Sequence, residues 1–388
     1  MFRKRFSHFV LVLLLIELLD ELVFGAFEAA WPLIRDDLAL SYAQIGLLLS
    51  VPSLAANLIE PVLAILGDVW RRRVIVLGGG VVFTLALGLT AASQTFWLLM
   101  LSLVLFYPAS GAFVSLSQAT LMDIDESRRE QNMARWAFAG SAGVVLGPLV
   151  LGLSALAGLG WRWVMGLMAA LALVLLLISS RMPYPDGADR GSRPHLRAVG
   201  GGLRDALRAI GRPGVLRWLV LLEFSDLMLD VLLGFLALYL VDVGGASPAQ
   251  ASLAVAVWTG VGLLGDFALI PLLERMPGLR YLRWSALIEL LLFPAMLLAP
   301  GFGLKLVLLG LLGLFSSGWY AILQAQLYAA LPGQSGVALA AKNFSGLVAG
   351  LIPLALGLAA QYLGLGTAIW LLLAGPVVLL IGLRNIWA

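Results

Sequence analysis

Ten carboxyl side chains lie in stretches of this chain that are otherwise apolar: Glu17, Asp20, Glu21, Glu28, Glu60, Glu223, Asp226, Asp230, Asp266 and Glu289. A charged side chain at the centre of a bilayer costs about 2.5–3.5 kcal/mol on insertion scales, so such residues need a use. Close carboxylates in a low dielectric do not all ionise together. Chemistry open to the set is therefore to carry protons or to hold a cation. Both histidines, His8 and His195, fall outside the apolar runs, so proton traffic would have to use carboxylates. Cysteine is absent, which excludes disulfides and thiolate metal sites. No phosphate-binding glycine loop, Walker signature or histidine-rich metal motif is present, and neither an enzyme nor a cofactor is expected.

The acids are patterned. At about 100° per residue, Glu17, Asp20, Glu21 and Glu28 share one helical face, and so do Glu223, Asp226 and Asp230. An offset of 206 carries Glu17 onto Glu223, Asp20 onto Asp226, Glu60 onto Asp266, Asp68 onto Glu274 and Gln118 onto Gln324. The same offset carries Ser41 and Gln44 onto Ser247 and Gln250. Two copies of one unit explain this better than chance does. Some acids could instead satisfy backbone groups or pair with Arg135 or Lys342. That plainer reading weighs most for Glu21, Glu28 and Glu289, which have no acidic counterpart.

The elements that must position these residues are membrane helices. Hydrophobic residues make up 61% of the 388, and charged residues 12%, against about 25% in a soluble domain. Apolar runs long enough to span appear at about 9–34, 43–66, 73–93, 96–121, 132–156 and 160–181, then 214–241, 248–272, 281–299, 302–330, 335–362 and 366–386. The expected architecture is an all-α membrane protein of twelve spans. It divides into a six-helix bundle at 1–181, a linker at 182–213 and a second bundle at 214–388. Span 1 carries acids and lacks a cleavage site, which reads as a retained helix and not a signal peptide.

Loop charge sets an expected orientation. Arg3, Lys4, Arg5, Arg71, Arg72, Arg73, Arg128, Arg129, the arginines of 181–217, Arg275, Arg280, Arg283 and Arg384 fall on one side; Arg35, Arg162 and Lys305 fall on the other. Both termini are then cytoplasmic, in a prokaryotic cytoplasmic membrane. The linker opens on a Pro183–Gly187 turn, and 195–210 reads as a basic helix resting on anionic lipid. A net charge of +3 gives no reason to invoke nucleic acid.

Two six-helix halves joined by a cytoplasmic linker resemble the major facilitator superfamily. Leu66-Gly67-Asp68-Val69-Trp70-Arg71-Arg72-Arg73 is similar to that superfamily's loop after helix 2, with Ala64, Val69 and Arg71 departing from the pattern. The resemblance assigns Asp68, Arg72 and Arg73 to a cytoplasmic gate. Gly143, Gly147, Pro148 and Gly152 resemble the antiporters' glycine–proline signature, and Pro353 and Gly357 repeat it at an offset of 205. Gln44-Ile45-Gly46, Asp20 and Glu60-Pro61 look most like fosmidomycin-resistance-type exporters, although a helix-4 arginine common among their relatives is not evident around Gln118.

The resemblance implies that helices 1, 4, 7 and 10 line a central cavity. Tyr107 and Gln118, with Trp319, Tyr320, Gln324 and Gln326, would then offer aromatic and amide contacts, suited to an organic cation. Glu17 and Glu60 lie at matching depths of about 10–12 Å from the cytoplasmic ends of their helices at 1.5 Å per residue, so by length alone the two could meet. The functional expectation is a monomeric, proton-coupled exporter of a cationic or amphipathic small molecule. Proton and substrate would compete for Glu17, Asp20, Glu60, Glu223, Asp226, Asp230 and Asp266. Alternatives are a metal-ion or sodium carrier, since an acidic oxygen site suits a hard cation, and a lipid or lysolipid transporter.

Overall fold

The computed structural model describes every residue except 1, 70, 125–128, 183, 185–206, 332–334 and 385–388. The described residues are helical or in short connections, with no strand. Six helices make the first half: α1 (Phe2–Leu38), α2 (Tyr42–Val69), α3 (Arg72–Ala92), α4 (Phe96–Ser110, a π-helical turn Gly111–Ser115, then Leu116–Ile124), α5 (Arg129–Leu156) and α6 (Trp161–Ser180). Six make the second: α7 (Pro213–Asp226, a π-helical turn Leu227–Val231, then Leu232–Asp242), α8 (Pro248–Leu273), α9 (Gly278–Leu298), α10 (Phe302–Ser316, then Trp319–Ala330), α11 (Ser335–Ala349, then Ile352–Leu363) and α12 (Leu365–Ala368, a 3-10 turn Ile369–Leu373, then Ala374–Gly382). Eleven of these are long and apolar enough to cross a membrane. The twelfth, α1, falls short on composition because of its acids, not on length. The chain is a multi-pass helical membrane protein.

Local sequence explains the boundaries. In α2 the Ser41 hydroxyl accepts from the Gln44 amide at 3.2 Å while Gln44 Oε1 accepts from the Ser41 amide at 2.9 Å. The repeat-matched Ser247 and Gln250 make the same reciprocal cap on α8, at 3.2 and 2.8 Å. Thr95 caps α4 through the Leu98 amide at 3.3 Å. Pro213 opens α7, where its missing N–H costs nothing.

The chain forms two compact units, Met1–Leu40 with Leu48–Leu196, and Ser41–Leu47 with Arg197–Ala388. In the first, α1 and α5 touch backbone to backbone. A Cβ on Gly143 would lie 2.6 Å from the Leu18 carbonyl, and one on Gly147 would collide with the Leu22 carbonyl. The glycine–proline stretch thus has a packing role here: small residues let two helices close without side chains between them. In the second unit the close approach is between α8 and α10, where Gly313 lies against the Trp258 backbone.

Two of the three basic residues on the sparsely charged side are structural. Arg162 forms an ion pair with Asp37 and donates to the Ser93 carbonyl at 3.1 and 2.6 Å, tying together the ends of α1, α3 and α6. Lys305 is buried and donates to the Met296 and Leu297 carbonyls at 2.8 and 3.0 Å, satisfying the free end of α9. Of the basic helix expected at 195–210, residues 207–210 are described and are helical; the rest lies outside the described residues.

Candidate functional site

Each unit gathers acids around one irregular helix. In the first unit that helix is α4, whose π-helical turn begins at Gly111. A π turn inserts a residue and re-aims the side chains beside it, a frequent feature of functional sites. Asp20 Oδ2 accepts a hydrogen bond from Ser110 Oγ at 2.9 Å. The neighbouring residue, Gly111, leaves room for Glu60, whose Cγ would lie 2.6 Å from any Cβ there. Asp20 and Glu60 therefore converge on consecutive residues of α4. This corrects the reading that Glu60 could meet Glu17. Glu17 faces α5: its Oε1 would lie 2.6 Å from a Cβ on Gly140, and the Trp136 indole is in hydrogen-bond reach. Helix length matches the depths of Glu17 and Glu60 but does not say which neighbour each faces. Glu28 is buried and accepts from the Trp31 indole at 3.2 Å, a partner other than the backbone groups or bases weighed for it.

In the second unit the acids centre on α7, where the π-helical turn starts immediately after Asp226 and contains Asp230. Glu223 Oε1 accepts a hydrogen bond from Ser345 Oγ of α11. One turn earlier on α11, Lys342 donates to the Tyr320 hydroxyl at 3.2 Å, and its ammonium stands 4.2 Å from the Tyr320 ring centroid. That ammonium lies within electrostatic reach of Glu223, Asp226 and Asp230. Three carboxyls thus share this base. Gln324, one turn beyond Tyr320, has a buried Oε1 with no hydrogen-bond partner among the described residues. An unsatisfied buried acceptor is a natural contact for a ligand N–H.

The remaining expected site residues are dispersed. Asp266 does not join the α7 acids: its Oδ1 accepts from the Gly318 amide at 2.9 Å, at the break in α10. Trp319 does not line a cavity. It is fully buried, and its indole donates to Ser285 Oγ of α9 at 2.8 Å. Gln118 Nε2 reaches Met133 Sδ at 3.7 Å, and the half-buried Tyr107 ring stands 6.0 Å from Phe106 edge-on. The Asp68 side chain lies outside the described residues, so the gate expectation rests on its arginines; of these, Arg73 donates to the Ser180 carbonyl at 2.7 Å. Among the described residues no group of three or more acidic or histidine side chains is arranged to hold a metal ion.

Sequence reasoning treats Lys342 as a neutralising partner at most, and misses Ser110, Ser345 and Trp136. A lysine inside an apolar span is a usable signal. Single hydroxyls are not, since serine in membrane helices most often bonds its own backbone.

An apolar groove between α1 and α5 in the first unit is lined by Leu14, Leu15, Leu18, Phe138 and Leu146, with Arg135 beside it.

Comparison with known proteins agrees with this architecture. A bacterial homologue of the human lysosomal transporter Spinster, in an inward-facing and unoccupied structure, superposes with a TM-score of 0.73 at 19% identity, over 97% of this chain and 94% of that one. The nucleoside transporter NupG superposes at 0.76 and 16% identity, over 98% and 99%. The POT family transporter PepTSo gives 0.69 and 13%, over 97% and 96%. At these identities the likeness establishes the fold. No curated protein matches in sequence. The Major Facilitator Superfamily model matches residues 13–353, and the chain therefore belongs to that superfamily of membrane transporters.

Proposed function

We propose that the protein is a proton-coupled secondary transporter that exports a cationic or amphipathic small molecule by alternating access. The observation that carries this reading is the excess of carboxyls over bases at the irregular helices, among the described residues. Glu223, Asp226 and Asp230 share the ammonium of Lys342, and Asp20 and Glu60 meet at Ser110–Gly111. Such a set takes up a proton or a cation, but holding both costs mutual repulsion, which is the requirement for exchange. Tyr320 and Gln324 add an aromatic face and an amide acceptor, which suit an organic cation better than a bare ion. Orientation with both termini cytoplasmic, as loop charge suggests, would make Asp68, Arg72 and Arg73 cytoplasmic.

The test is flux in liposomes carrying purified protein, with tetraphenylphosphonium as the cationic probe. The reading expects accumulation against a probe gradient when a pH gradient is imposed, and equilibration alone without it. Accumulation indifferent to the pH gradient would overturn it.

The groove lined by Leu14, Leu18 and Phe138 beside Arg135 supports a second reading, in which the substrate is an anionic amphiphile such as a lysolipid. Flux of a fluorescent lysolipid that survives neutralisation of Asp20 and Asp226 would favour it.

A further inference from the structure

The break in α10 is gripped from α8 in a way that an acid meant only for proton or substrate binding would not need. Ser317 is extended, at φ −53° and ψ 139°, and Gly318 is left-handed, at φ 72°. In an unbroken helix the Gly318 N–H would bond the carbonyl four residues back. Here it donates to Asp266 Oδ1 at 2.9 Å. Around that bond, Ser317 Oγ donates to the Gly262 carbonyl of α8 and to the Gly313 carbonyl, both at 2.9 Å. Gly265 brings the α8 backbone within 3.0 Å of the Leu314 carbonyl, measured from where a Cβ would stand. On the far side, Trp319 is pinned by Ser285. A free-standing helix break does not need consecutive residues held by two neighbouring helices.

We infer that Asp266 is a positioning residue: it caps the second segment of α10 and so sets the direction in which Tyr320 and Gln324 leave the break. Those two residues stand on the first and second turns after it. Repeat-matched Glu60 supports the assignment, since it fills the notch at Gly111, where the α4 π-helical turn begins. An offset of 206 carries Gly111 onto Ser317, the first residue of the break. In both units the acid of the second helix meets the fourth helix where its regular bonding fails. The inference rests on the reading of Tyr320 and Gln324 as part of the binding site, and it removes Asp266 from the groups that exchange protons.

Asparagine decides between the two roles. Its amide oxygen caps a helix about as well as a carboxylate does, but it cannot carry a proton. Asp266→Asn and Asp266→Ala would be compared in the full-length protein in nanodiscs. Hydrogen exchange of the peptide containing Gly318 reports the cap without any ligand. Tetraphenylphosphonium binding and pH-gradient-driven accumulation report the site. A cap requires Asn to keep parental exchange, binding and accumulation, and Ala to speed exchange and weaken binding, each by about tenfold. Should Ala fail to fold, Asn alone still tests the assignment: parental exchange with parental accumulation upholds it. Asn that loses accumulation, or Ala that leaves Gly318 exchange unchanged, overturns it. The exchange result stands even if the parent does not bind the probe, so failure of the transport reading is seen separately.

Discussion

The two units carry the same repeat but close on different seams. In the first unit α1 and α5 meet through Gly143 and Gly147. The counterparts of these glycines at an offset of 205 are Val348, which is 74% exposed, and Ile352. Those two positions cannot repeat the glycine contact between α7 and α11. The seam there is polar instead. Gly140, which lies against Glu17, is replaced by Ser345, which donates to Glu223; Ala137 is replaced by Lys342. Duplication thus supplied matching acids, and divergence gave them unlike surroundings. Asp20 and Glu60 rest against the Ser110 hydroxyl and Gly111, whereas Glu223, Asp226 and Asp230 share the base Lys342. Under the proposed function, a difference of this kind would let the two sets release protons under different conditions.

The largest effect is expected from neutralising the repeat-matched aspartates. Asp20→Asn and Asp226→Asn should each leave a folded protein, because an expensive buried charge has gone. Gradient-driven accumulation of tetraphenylphosphonium in liposomes should fall to background, with some downhill exchange retained. Parental accumulation in both would remove these acids from the coupling scheme.

Next in size is the seam. Gly147→Val would drive a side chain into the Leu22 carbonyl and the Ala26 amide. Overpacking of this kind costs about 1–3 kcal/mol, and it should show up as a lower midpoint in denaturant and less monodisperse protein. Val348→Gly in the second unit removes an exposed side chain and should cost no more than about 1 kcal/mol, the helix penalty of glycine. Equal losses would mean that the two seams are alike after all.

Legibility followed the same division. The twelve helices were readable because apolar length acts locally, whereas Ser41 and Gln44 read only as repeat partners of Ser247 and Gln250 and their capping role came from the structure. The acids were readable as a set because 206 residues separate each pair. Their partners were not. Which face of α1 meets α4, and which meets α5, depends on the glycines that let α5 approach, so Asp20 and not Glu17 arrived beside Glu60. Trp319 read as a cavity residue from its place on helix 10, yet after the break at Ser317–Gly318 it packs against Ser285. The break itself has only Ser316-Ser317-Gly318 as its signal.

Smaller changes should separate the base from the acids. Lys342→Gln removes a positive charge that competes with a cationic ligand. At alkaline pH, where protons do not compete, tetraphenylphosphonium should bind about tenfold more tightly, the scale of one charge contact in a partly hydrated site. Ala137→Lys, which gives the first unit the second unit's base, should weaken binding there. Unchanged affinity in both would show that Lys342 plays a packing role. The smallest effect is expected for Tyr320→Phe. It removes the hydroxyl that Lys342 bonds but keeps the ring, and should change affinity by about threefold or less, in line with interhelical bonds of about 0.6 kcal/mol.

The central claim, that proton and cation compete for the same carboxyls, is tested most directly by proton release on binding. Purified protein in weakly buffered detergent with a pH dye would be titrated with tetraphenylphosphonium. The account predicts release of protons in proportion to the probe bound, and less release from Asp226→Asn than from the parent. Saturable binding with no proton release at any pH between 5 and 9, roughly the span in which a perturbed carboxyl can titrate, would contradict it.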